Sequence, residues 1–157
     1  MGASGWDYVT EHKGGIQASL DALHAQVFQE EYGDGATYRS LADLHADHEF
    51  MGQEGTHSIL DIDRVVHTTD APQRGKASDY GTLRPLAADR IVHHFGTNRP
   101  TVRQYEKVLA AAHGATDHQE YEQSLLGECR MRWTGLYVLL YAGKEPTHVG
   151  IFGFSGD

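Results

Sequence analysis

The run Arg132-Trp133-Thr134-Gly135-Leu136-Tyr137-Val138-Leu139-Leu140-Tyr141 constrains this chain more than any other stretch, because aromatic, Val and Leu residues dominate it. Ala142-Gly143-Lys144-Glu145-Pro146-Thr147 follows with turn chemistry, and residues 148–154 return as a second apolar run. Residues 129–154 therefore read as a long β-hairpin. Residues 137–141 are apolar on both alternating faces. Such a strand belongs in a sheet covered on both sides, or covered on one side with a partner or ligand over the other.

The rest of the chain reads mainly as helix. Residues 6–11 alternate large and polar side chains, which predicts a first strand with Trp6, Tyr8 and Thr10 on one face. Ile16, Leu20, Leu23, Val27 and Phe28 share a stripe and predict an amphipathic helix over 16–31. Ser40 with Asp43 opens a helix over 40–51, with Leu41, Leu44, His48 and Met51 inward. Residues 56–66 read as a strand, and 82–86 as its partner across a polar, flexible loop at 68–80. Short helices are predicted at 88–95 and 116–125. Between them, Thr101 with Gln104 caps a helix over 102–113. The fold class is α+β: a mostly antiparallel sheet with a C-terminal β-hairpin, and helices packed on it. A length of 157 residues suits one domain, spanning 6–157, with residues 1–5 reading as a cloning remnant.

Charge and composition narrow the function classes. A net charge of −9 argues against gripping phosphate backbones, so no nucleic-acid partner is expected. A basic protein partner or a small apolar ligand suits it better. No run approaches the ~20 apolar residues of a membrane span, so no membrane partner is expected either. The single cysteine, Cys129, rules out an internal disulfide and fits a reducing cytoplasm. It reads as an inert buried thiol within an alternating strand. Eleven histidines exceed the net negative charge in number, so protonating them would cancel it.

Three constellations carry candidate chemistry. In the 56–66 strand, Asp61 and Asp63 would project from one face with Cα atoms about 6.6 Å apart. His57 would join them, giving a histidine beside two carboxylates, the usual minimum for proton transfer. The structural alternative is a solvent-facing edge neutralised by Arg64. No metal site or cofactor is predicted. If the histidines do bind metal, His45 and Glu49 are the first ligands by their i, i+4 spacing, and zinc or nickel suits those donors. His48 instead reads as a hydrogen-bonded core histidine. Finally, Trp133, Tyr137, Tyr141, Phe152 and Phe154 on the terminal hairpin are candidate binding residues, ringed by acids such as Glu128 and Glu145. No glycine-rich phosphate loop and no G-x-S-x-G elbow is present.

Gly55-Thr56-His57-Ser58-Ile59-Leu60-Asp61-Ile62-Asp63-Arg64-Val65-Val66, the ending Gly150-Ile151-Phe152-Gly153-Phe154-Ser155-Gly156-Asp157 and the opening Trp6-Asp7-Tyr8-Val9-Thr10-Glu11 resemble a family of small uncharacterised bacterial proteins. The resemblance covers nearly the whole chain after residue 5. It implies a bacterial, cytoplasmic setting and no particular activity.

Two functions follow as expectations. The first is a small acidic binding protein of the immunity, antitoxin or sequestering kind. The alternative is a small enzyme or ligand-binding protein using His57, Asp61 and Asp63 in a pocket between sheet and helices. Whether the chain is an enzyme, and its oligomeric state, stay open at this level.

Overall fold

A computed structural model describes residues 4–156. Five strands form one sheet: β1 (Gly5–Glu11), β2 (Arg64–Val65), β3 (Thr82–Pro85), β4 (Thr134–Ala142) and β5 (Glu145–Phe154), in the order β1-β5-β4-β3-β2. β1 and β4 flank β5 antiparallel, whereas β2, β3 and β4 run parallel to one another. The sheet is thus mixed rather than mostly antiparallel, and residues 64–86 form no hairpin. Connection length explains this. A hairpin closes in a few residues, but the segment 66–81 is long enough to carry the chain back to the starting edge, which a parallel pair requires. A second crossover, from β3 to β4, contains three helices.

Those helices are α4 (Ala88–Phe95), α5 (Val102–His113) and α6 (His118–Gln123); α1 (Ile16–Tyr32), α2 (Leu41–Ala46) and α3 (His48–Gln53) precede β2. Local signals place most of their ends. Thr101 and Gln104 form a reciprocal capping box on α5, and Gly96 closes α4 in the left-handed region at φ 71°. The predicted helix over 40–51 breaks in two at Asp47. Its carboxylate accepts from the Phe50 amide and from the Tyr38 hydroxyl, so it starts α3 anew instead of continuing α2.

Alternation along β4 supplies two cores, and the sheet is covered on both faces. Leu20, Leu23 and Val27 of α1, with Leu44 of α2, pack on Trp6, Tyr137, Val149, Ile151 and Leu83. On the other face Tyr105 and Leu109 of α5 pack on Val138, Leu140 and Phe152. Trp6 lies across the paired strand glycines Gly135 and Gly153, where a Cβ on either would run into its ring. Gly150 makes equivalent room for Tyr105 on the opposite face. The turn tightens to Gly143-Lys144, with Gly143 at φ 63°.

Structure begins inside the segment set aside as a remnant. Gly5 opens β1, and the Ser4 carbonyl accepts from the Ser155 amide at 2.8 Å. Residues 1–3 lie outside the described residues. Among the described residues no helix is long and apolar enough to cross a membrane.

Candidate functional site

Residues 56–66 do not form the predicted strand. Gly55 and His57 both take positive φ, at 71° and 54°, and Ser58 caps a 3-10 turn at Ile59–Asp61 by accepting from the Leu60 amide. The Asp61 carboxylate closes the loop on itself. Its Oδ1 accepts from the Thr56 amide (2.6 Å) and Thr56 hydroxyl (2.8 Å), and its Oδ2 accepts from the Ser155 hydroxyl (2.6 Å). Ser155 in turn accepts from Trp6 Nε1 at 3.1 Å. Side-chain oxygens have satisfied backbone and side-chain donors that a strand ladder would otherwise claim.

The three members of the expected acid–base cluster take different surroundings and different partners. Asp61 is buried, Asp63 is exposed and paired with Arg64 at 2.8 Å, and His57 is exposed with its Nδ1 3.0 Å from the Ser4 hydroxyl. The proposed edge partner Arg64 therefore pairs with Asp63 and not Asp61, and also donates to the Ser78 carbonyl. The metal candidates diverge too: His45 lies on α2 and bonds the Leu60 carbonyl at 2.7 Å, while Glu49 is exposed on α3. Among the described residues no three histidine, cysteine or acidic side chains converge as a metal site. His48 is exposed rather than inward. The core histidine is His24 on α1, which bonds the Ile59 carbonyl at 3.2 Å and is held below the ordinary histidine range by burial.

The aromatic hairpin patch also dissolves. Tyr137 and Phe152 are core residues, one on each face of the sheet, and cannot meet a partner. Trp133, Tyr141 and Phe154 are half-buried. The Trp133 ring packs on Gly55 and Gly156, and its left-handed backbone (φ 61°) is held by bonds to Phe154 and Gly81. Glu128 is no rim acid; its carboxylate is bonded by Arg90 Nε at 2.5 Å. Cys129 follows a 3-10 turn rather than lying in a strand, and burial pushes its thiol up, away from the reactive thiolate.

What the fold does build is a cavity of about 300 Å³ at the carboxyl end of β3, roofed by residues 69–74. Pro72, Pro85, Leu86, Met131 and Leu136 give it apolar walls, and Arg74, Arg84, Arg90 and Arg130 come to its surface. The roof is anchored from below. Arg84 is buried, pairs with Asp79 at 3.2 Å and donates to the Asp70 carbonyl at 2.9 Å. Asp79 also accepts from the Gln73 amide, which, with nearby Lys76 and Arg84, holds its carboxyl below the usual range. Tyr80 donates to the Arg74 carbonyl at 2.6 Å, and Arg74 Nη2 reaches the Arg130 carbonyl at 3.3 Å. Behind the wall, His94 lies with Nε2 3.5 Å from Glu128, unbonded, and burial holds it below the ordinary range. Sequence reasoning missed these arginines. They are far apart in the chain, and no local spacing marks them. The available hint was the polar 68–80 stretch, which read only as a flexible loop. Comparison with protein-family models, with curated proteins and with solved structures finds no match to this chain.

Proposed function

We propose that this protein binds a small anionic ligand with an apolar body in the cavity beneath residues 69–74. One observation carries the reading: a largely apolar hollow of about 300 Å³, in a chain of net charge −9, is lined by four arginines against two acids, Asp70 and Glu128, and Arg74 and Arg130 are left without an ion-pair partner among the described residues. Ligand sites combine apolar walls with a few convergent polar groups, and this volume lies at the lower end of their range. The place also suits an open sheet with parallel strands, where ligands settle beyond the carboxyl ends. A guanidinium at an apolar rim recognises a carboxylate or phosphate through paired donors.

The immunity- or antitoxin-like reading drew on negative charge, small size, the lack of a compact catalytic motif and an aromatic hairpin, and two of its five aromatic candidates are core side chains. The acid–base reading depended on His57, Asp61 and Asp63 meeting. Neither has an observation that favours it over the cavity.

Isothermal titration with sodium octanoate, an anion with an apolar tail, tests the proposal. Saturable one-site binding is expected in the wild type. Ala71→Trp, an exposed roof position that lines the cavity, is expected to weaken it at least about tenfold while leaving the melting temperature in place. Binding unaffected by Ala71→Trp, or absent from the wild type, overturns the proposal.

A further inference from the structure

We infer that the ligand's charged end is a phosphate monoester, gripped where Arg74, Arg130 and Arg132 meet at the mouth of the cavity. This rests on the ligand-binding reading above and names its ligand class.

Two further hollows adjoin the cavity. Both share Arg74 and Met131 with it, and both are lined by Arg132; one of them also shares Arg130. The three spaces therefore abut at one point on the surface, and arginines surround it. The contact between Arg74 Nη2 and the Arg130 carbonyl fixes the guanidinium of the first beside the backbone of the second.

The charge balance at this junction differs from that inside. Arg84 and Arg90 are answered by Asp79 and Glu128. Arg74, Arg130 and Arg132 are exposed, and among the described residues none of the three has an ion-pair partner. Gathering three uncompensated cations in an otherwise acidic chain costs repulsion that a bound anion removes. A carboxylate brings one charge and two oxygens. A phosphate monoester brings about −1.5 to −2 at pH 7 and three terminal oxygens, enough to accept from more than one guanidinium fork at once. Its organic part then runs inward over Met131 and Leu136.

Trp133 lines one of the adjoining hollows together with Arg74 and Arg132, so its fluorescence reports occupancy of the junction. The experiment compares octyl phosphate with octanoate at pH 7.5, by calorimetry and by Trp133 fluorescence. Wild-type protein is expected to bind octyl phosphate at least about tenfold more tightly than octanoate. Arg130→Gln/Arg132→Gln is expected to erase that preference, with octanoate weakened less than about fivefold. Both positions are exposed, and an unchanged melt certifies the fold. Equal affinity for the two probes, or a preference that survives the double substitution, overturns the phosphate inference and leaves the cavity reading standing. Failure of both probes to bind the wild type overturns the two together.

Discussion

At the scale of single residues, Asp61 organises one end of the sheet. Three donors point at a buried carboxylate, and one of them, the Ser155 hydroxyl, also accepts from Trp6. Ser155→Ala leaves Trp6 Nε1 without its acceptor and Asp61 Oδ2 without its donor. Orphaned buried groups cost roughly 1–3 kcal/mol each, so urea denaturation is expected to show a loss of that order. Asp63→Ala, two residues from Asp61 in sequence but exposed, is expected to stay within about 0.5 kcal/mol of wild type. A similar loss in both variants would mean that the two carboxylates share one environment after all. The density of functional groups here was legible in the sequence. Their role was not, because alternation assumes that side chains point away from the backbone, whereas Ser58 and Asp61 bond back to it and Thr56 bonds both of those side chains.

At the scale of elements, the long 66–81 connection depends on Arg84. That side chain emerges from β3, is buried, and bonds the connection at Asp70 and Asp79. Removing Arg84 leaves Asp79 with only the Gln73 amide and the more distant Lys76 ammonium, and takes the donor from the Asp70 carbonyl. Arg84→Met is therefore expected to destabilise the fold and, by hydrogen exchange, to loosen residues 70–80 beyond the change in global stability. Exchange in 70–80 that merely tracks the global change would assign the anchoring elsewhere. Capped, periodic helices such as α1 and α5 could be read from the sequence because their signals are local. The parallel course of β2, β3 and β4 could not. A two-residue β2 has no alternation to detect, and its direction is set by how far the intervening chain travels.

At the scale of the whole molecule, histidine burial sets an acid limit. Burial depresses the folded-state titration of both His24 and His94 below the unfolded value of ~6.5. The unfolded chain then binds more protons than the folded one, so stability is full above ~6.5 and falls as pH drops towards the folded values. Glu31, pushed up by burial, opposes this nearer the carboxylate range, and Asp79, held down, adds a further loss only below ~3.9. Denaturant midpoints are expected to decline between pH 7 and 5, and His24→Gln/His94→Gln to flatten that decline; an equal decline in the double variant would place the acid sensitivity in other groups. The proposed ligand site is also a property of the whole molecule. Arg74, Arg84, Arg90 and Arg130 come from three separate stretches of chain and converge only once the crossovers are in place. That convergence is the proposed place of ligand binding. The direct measurement is an amide NMR titration with octyl phosphate. Saturating shifts are expected to concentrate in residues 69–74, 84–90 and 128–136. Shifts centred instead on residues 55–63 and Ser155, or spread evenly over the surface, would contradict the proposal.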